Sequence, residues 1–165
     1  MSEQLKEILS RVAGETLEKL AFMFSFPEDE RGRMILDSAV AAFISFSGPF
    51  SGTLVMTVSN QLLPELAANM LGVDDEETTL EQQHDALKET INIICGNLLP
   101  VIAGEEVVFN IDAPMIIAGV EAIKEAIEDH GHKPASIVKL NIEESECDLF
   151  LFINGRGTMH RAPTV

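Results

Sequence analysis

The 165-residue sequence has no tryptophan, no tyrosine and only two cysteines. Tryptophan and tyrosine are the aromatic residues most enriched at the energetic centres of protein interfaces, so the chain has neither of these usual anchors. A core must instead come from Phe, Leu, Ile, Val and Met, and 46% of the residues are hydrophobic. That composition and length predict one ordinary globular domain.

Cysteine pairs and targeting signals are also missing. Cys95 and Cys147 are isolated, with no CxxC spacing, which predicts free thiols in a reducing compartment. Glu3, Glu7 and Glu15 interrupt the N-terminal segment where a secretory signal needs an apolar core. No uninterrupted apolar run reaches the roughly 18 residues of a membrane span. We therefore expect a cytoplasmic protein with no membrane partner.

Basic residues are scarce: 11 Lys and Arg stand against 27 Asp and Glu, for a net charge of −16. Such a surface repels phosphate backbones and anionic headgroups, which argues against nucleic acid as a partner. Plain solubility is the alternative explanation of the charge. There is no GxxxxGK[ST] and no GxGxxG, so nothing indicates a nucleotide site. One HxH pair, His130 and His132, beside Gly131, is more typical of a solvated turn than of a metal site.

Hydrophobic periodicity and turn residues predict an α+β domain over residues 1–155, followed by a flexible tail at 156–165. The first helix is predicted at 3–25, and the second at 60–72 with Asn60 as N-cap and Gly72 as stop. The third is predicted at about 81–99, with Pro100 as the residue that breaks it. After a connection at MIIAG, a fourth helix is predicted to end near Gly131. About five mostly antiparallel strands are predicted at 38–47, 50–58, 106–112, 135–143 and 146–154, with hairpin turns at Gly48-Pro49 and Glu144-Ser145. The helices are expected to pack on the sheet.

The long central helix carries the most informative pattern. At about 100° per residue, Asp85, Glu89, Asn92 and Gly96 fall within about 60° of one another. An apolar stripe lies about 200° away on the wheel and forms the predicted core face. It consists of Leu87, Ile91, Ile94 and Leu98.

The outward polar row contains two poor helix formers, Asn92 and Gly96, where a merely soluble helix would carry Glu, Lys or Gln. Gly96 exposes backbone and lets another molecule approach closely. Glu89 and Asn92 are three residues apart, so their side chains emerge together. A contact or chemical site is one interpretation. The other is that Asp85 favours the helix N-terminus, Glu89 is an ordinary surface residue, and Asn92 and Gly96 serve tight packing within the chain.

The pattern Asp85-x3-Glu89-x2-Asn92-x3-Gly96-Asn97 resembles the phosphatase signature of the CheC/CheX/FliY family of bacterial chemotaxis proteins. The order of elements around it is also similar, over most of residues 5–155. Family members with two sites carry the helix twice. Here the first helix is the candidate second copy, but Arg11, Glu15 and Glu18 replace its motif and no Gly-Asn follows. The chain thus looks like a single-site, CheX-like member, and the resemblance implies a homodimer joined through sheet strands.

The resemblance also implies the chemistry. The substrate would be the aspartyl phosphate of a CheY-like response regulator, which supplies its own lysine and a divalent cation such as Mg²⁺, so no metal or other cofactor is expected on this chain. Asn92 would orient the attacking water and Glu89 would pair with the regulator's lysine. Asp85, Gly96 and Asn97 would shape the contact with the partner.

Two other functions remain open on the residues alone. The same face could bind a regulator without hydrolysis, as an adaptor or a phosphate sink. Intact Glu89 and Asn92 favour the enzyme, because a pure adaptor needs neither group in particular. A structural part in the flagellar switch is the third alternative, although the chain carries no extra domain of the kind found in that fusion.

Overall fold

The antiparallel sheet is larger than the sequence predicts. The computed structural model describes residues 2–32, 34–128, 131 and 133–154. Within these residues the strands are β1 (Ser25–Pro27), β2 (Ala39–Ser47), β3 (Ser51–Ser59), β4 (Asn110–Ile111), β5 (Met115–Ala118), β6 (Ser136–Ile142) and β7 (Ser145–Asn154). Their order is β1-β6-β7-β3-β2-β4, with β5 also paired to β2, and every pairing is antiparallel. The α+β class is confirmed; the count of about five strands was too low.

Four described helices cover the two faces of this sheet unequally. They are α1 (Ser2–Ala21), α2 (Leu62–Leu71), α3 (Leu80–Ala103) and α4 (Val120–Glu128). Alternate residues of a strand face opposite sides, and β2 shows the division. Val40 and Ala42 join the main core with α1, α2 and α3, whereas Ala41 packs with Ile123 of α4 on the other side. The predicted site therefore lies in the thicker helical layer.

The first helix ends four residues before the predicted limit of 25. Phe22 adopts a left-handed conformation with φ of 56°. Its N–H bonds to the Glu18 carbonyl at 3.0 Å, and the Met23 N–H bonds to the Leu17 carbonyl at 3.2 Å. This is the hydrogen-bonded C-terminal turn that glycine usually forms. The chain then turns into β1, which the helical periodicity had concealed.

One predicted boundary of α2 and one of α3 were wrong: the start of α2 and the end of α3. Gln61, not Asn60, is the N-cap of α2, and it makes no side-chain capping bond. Gly72 ends α2 in the left-handed region, as predicted. Pro100 does not break α3, which continues to Ala103. Ile102 and Ala103 pack against the core, and this burial offsets the hydrogen bond that the proline removes.

Two further predictions change on the C-terminal side. The strand predicted at 106–112 is reduced to β4, and MIIA, predicted as a connection, forms β5 along β2. The last hairpin turns at Glu143 and Glu144, one residue earlier than predicted, with φ of 50° and 68°. Asn141 supports this turn by accepting the Glu144 N–H at 3.1 Å. The predicted tail at 156–165, His130 and His132 lie outside the described residues.

By length and composition alone, α3 could cross a bilayer. Its apolar stripe, however, is fully buried in the protein core at Leu87, Ile91, Ile94 and Leu98. This burial identifies α3 as a core helix of the domain.

Candidate functional site

A capping box fixes the start of α3. Thr79 accepts the Gln82 N–H through its hydroxyl oxygen at 3.1 Å, and the Gln82 side chain accepts the Thr79 N–H at 3.0 Å. Two otherwise unpaired N–H groups are satisfied in this way. With the start fixed and one face in the core, the rotation of α3 about its axis is determined, and so is the direction of its polar row.

The polar row lies on the exposed side of α3, as the helical wheel predicts. Asp85, Glu89, Asn92 and Gly96 are all exposed, opposite the buried stripe. The structure therefore brings four of the five predicted site residues into one line on a rigid element. Their chemical roles remain predictions.

The side chains of the row differ in their partners. The Asp85 carboxylate lies 3.4 Å from the Lys88 ammonium, an ion pair that the i,i+3 spacing could have revealed. Within the described part of the chain, Glu89 and Asn92 form no side-chain hydrogen bond and no ion pair. A carboxylate and a carboxamide thus stand one turn apart with their donors and acceptors available to a partner.

Gly96 distinguishes between the two interpretations of the row. A Cβ built on Gly96 meets no atom within 4 Å, so nothing in the described structure requires a glycine for close packing. The packing explanation for Gly96 is therefore wrong. The glycine instead leaves a bare stretch of exposed helix beside Asn92, which suits the close approach of another molecule.

Asn97, the fifth predicted residue, points elsewhere. It is exposed, but it lines a groove of about 310 Å³ between α3 and α1. Arg11 and Lys19 of α1 border the same groove. The sequence pattern missed this neighbourhood, because no local signal shows that α1 lies beside α3.

The candidate second copy of the site on α1 differs from the row on α3 in its ion pair, its middle residue and its last position. Arg11 pairs with Glu15 at 3.5 Å, and Glu18 stands where the motif has its carboxamide. The position that corresponds to Gly96 is Phe22, whose side chain is 74% exposed. A ring at this place fills the space that the glycine of α3 leaves open. The single-site interpretation is consistent with this arrangement.

The thiols are unsuited to nucleophilic chemistry. Cys95 and Cys147 are free and buried. Burial raises the pKa of the Cys95 thiol from 9.0 to about 12, and burial together with the neighbouring Asp148 charge raises the pKa of Cys147. Thiolates are the reactive form, and both sites disfavour it. Among the described residues, no group of three or more His, Cys, Asp and Glu side chains could hold a metal ion.

Comparison with known folds gives the same architecture. The chain matches the crystal structure of a chemotaxis protein CheX from Desulfovibrio desulfuricans with a TM-score of 0.67, at 16% identity, covering 92% of this chain and 99% of that one. It matches the CheX-CheY-BeF3-Mg²⁺ complex from Borrelia burgdorferi with a TM-score of 0.66, at 17% identity, over 90% and 97% of the two chains. Thermotoga maritima FliY matches with a TM-score of 0.55, at 14% identity, over 99% and 93%.

Sequence comparison identifies the family itself. No curated protein matches the sequence significantly. The family described as chemotaxis phosphatase CheX matches residues 40–138, which is more than half of the chain and includes the whole row on α3. The protein therefore belongs to the CheX family of chemotaxis phosphatases.

Proposed function

We propose that this protein hydrolyses the aspartyl phosphate of a CheY-like response regulator in chemotaxis or a related two-component pathway. The observation that carries the proposal is the pair of exposed side chains Glu89 and Asn92, which have no partner among the residues that the structure describes, beside the open Gly96. Family membership and the CheY-bound state of the Borrelia burgdorferi CheX support the same substrate class.

The proposed chemistry depends on positioning. Hydrolysis of an acyl phosphate needs a water molecule in line with the phosphorus, and catalysis of phosphoryl transfer is largely alignment and electrostatics. Asn92 can hold that water through its carboxamide, and being neutral it does not repel the anionic phosphoryl group. Glu89, one turn earlier, can form a charge-assisted hydrogen bond with the regulator's lysine and so fix the register of the complex. The divalent cation is assigned to the regulator.

The first experiment is the decay of a phosphorylated CheY-like regulator with and without the protein. Asn92→Ala should slow the accelerated decay by about 10²-fold or more, the loss typical of one positioned polar group. Binding of the regulator should change little. Glu18→Ala, at the corresponding position of α1, is the matched control and should keep the wild-type rate.

Two outcomes would reject the catalytic role. A wild-type rate in Asn92→Ala would show that the carboxamide does not orient the water. Tight binding by the wild-type protein without faster decay would instead identify a non-catalytic adaptor. In that case Glu89 and Asn92 would be contact residues only.

We also propose that the protein is cytoplasmic and forms a homodimer through sheet edges. The edge strand β1 and the residue before it expose Phe26 and Phe24, at 64% and 55%, and exposed apolar edge strands are prone to pair with another chain. Sedimentation should give twice the monomer mass. A monomer at tens of micromolar would reject the dimer.

A further inference from the structure

Pro100 changes the backbone of α3 directly beside the proposed site. In an α-helix each N–H donates to the carbonyl four residues earlier. Pro100 lies inside α3, which continues past it to Ala103, and a proline has no N–H. The carbonyl that loses its donor is that of Gly96, the last residue of the exposed row.

Among the described residues, no group outside α3 donates a hydrogen bond in place of the missing N–H. The helix C-terminus is satisfied separately, since the Gly104 N–H bonds to the Pro100 carbonyl at 2.9 Å. No side chain in the described part of the chain donates to the Gly96 carbonyl. Gly96 and Pro100 are exposed, as is Asn97 between them. The oxygen has therefore lost its regular helical donor and lies where water or another molecule can donate to it.

The Gly96 carbonyl oxygen lies on the same exposed side of α3 as the polar row, close to Asn92. Gly96 is four residues beyond Asn92, which is about 6 Å along the helix axis. Carbonyls on the solvent side of a helix tilt outward, and the proline ring crowds the same carbonyl from below. With no Cβ on Gly96 and no atom within 4 Å of where one would stand, a partner that contacts Asn92 can reach this oxygen directly.

We propose that the Gly96 carbonyl oxygen, released by Pro100, is a third polar contact of the site and accepts a hydrogen bond from a donor on the regulator's surface beside its phosphorylated aspartate. This inference rests on the proposed function. The contact differs from those of Glu89 and Asn92 because it comes from the backbone. It is also an acceptor of fixed direction, since its helix is held by the core.

The proposal separates binding from chemistry. A hydrogen bond gained in exchange for one to water contributes about 2- to 10-fold in affinity. Because the acceptor lies a turn away from the water-orienting Asn92, its loss should raise KM and Kd while leaving kcat nearly unchanged. Gly96 and Pro100 are accordingly positioning residues.

Pro100→Ala is the direct test, because it restores the N–H that occupies the Gly96 carbonyl and leaves all other side chains in place. We expect the variant to unfold at a higher temperature and yet to bind the beryllofluoride-Mg²⁺-loaded regulator about 2- to 10-fold more weakly. A gain in stability with a loss of binding cannot arise from misfolding. Amide hydrogen exchange at position 100 of the variant verifies that the new hydrogen bond has formed.

Pro64→Ala is the matched control. Pro64 lies in the first turn of α2, and the carbonyl four residues before it, that of Asn60, already accepts the Leu63 N–H at 3.2 Å. This variant removes a helical proline without occupying a free acceptor, so binding should not change. Repeating the titrations at low and high salt identifies the donor. An ammonium group would give a difference that shrinks with salt, and a neutral N–H or O–H would not.

The remaining outcomes separate this inference from the proposed function. Unchanged binding in Pro100→Ala, with the new backbone amide protected from exchange, overturns the inference and leaves the phosphatase proposal intact. An unprotected new amide overturns it as well, because the Gly96 carbonyl would then not have the direction assigned here. A wild-type protein that neither binds nor dephosphorylates any CheY-like regulator overturns the proposed function together with the inference.

Discussion

Helices α1 and α3 lie side by side on the same face of the sheet, and each carries a polar row at the same spacing. On α1 the carboxylate that corresponds to Glu89, that of Glu15, is paired with Arg11, and a phenylalanine stands at the end of the row. On α3, Glu89 and Asn92 have no partner among the described residues, and the row ends in an open glycine. The difference teaches that spacing alone does not make a site. The polar side chains must also be free to bind a partner, and no large side chain may cover the surface beside them.

The largest difference between the two rows is expected in the dephosphorylation rate when the charge of one carboxylate on each helix is removed. Glu89→Gln is expected to lower kcat/KM for dephosphorylation by about 10²-fold, because a neutral amide cannot replace an ion pair with the regulator's lysine. Glu15→Gln removes only an exposed pair on α1 and should stay within about twofold of wild type. Steady-state decay of the phosphorylated regulator measures both. Equal losses in the two variants would contradict the assignment of the site to α3.

The glycines of the two helices allow a second test. Gly96→Ala should stabilise the protein by about 1 kcal/mol, from helix propensity with no clash, and should weaken regulator binding by covering the bare surface. A Cβ at Gly14 of α1 would stand 3.1 Å from the Ser25 hydroxyl oxygen, so Gly14→Ala should stabilise less and leave binding unchanged. Urea unfolding and regulator titration give the two quantities. Stronger binding by Gly96→Ala would show that the glycine does not serve close approach.

The buried sides of the helices provide a smaller test that depends on pH. Cys95 occupies the place on α3 that Ala21 occupies on α1. Its pKa is about 12 in the folded protein against 9.0 for a free thiol. Because the thiol ionises at lower pH in the unfolded chain than in the folded protein, ionisation favours unfolding. The contribution of the neutral Cys95 thiol to the free energy of unfolding is therefore complete below pH 9 and is lost as the pH rises towards 12. From pH 8 to pH 10 the wild type should lose about 1 kcal/mol more than Cys95→Ala. Parallel pH profiles in urea unfolding would show that the thiol does not titrate in this way.

Much of the architecture could be predicted from local sequence, and the failures have physical causes. The β2–β3 hairpin and the buried stripe of α3 were predicted correctly because their patterns repeat over several residues. β1 is only three residues long, and it follows a left-handed turn at Phe22, a conformation that a phenylalanine in the sequence does not indicate. β5 depends on its register along β2, which is a long-range property. The Glu143–Glu144 turn likewise lacks the Asn or Gly that usually marks such a hairpin.

The same division applies to the site. The alignment of Asp85, Glu89, Asn92 and Gly96 follows from helical geometry and needed no tertiary information. That Gly96 packs against nothing could be known only from the complete fold. The continuation of α3 beyond Pro100 also depends on tertiary packing, which outweighed the local preference of proline. The free carbonyl described above was hidden from the sequence for this reason.

The capping box and the buried stripe of α3 have a kinetic consequence. A site on a loop must be ordered when a partner arrives, and that ordering opposes association. Glu89 and Asn92 instead project from a helix that is already held at its first turn and along its length, so only their rotamers need to settle. Encounters with the regulator can therefore be productive without a prior rearrangement of this chain. That property suits the proposed phosphatase function, in which a signal is ended quickly and the regulator is then released.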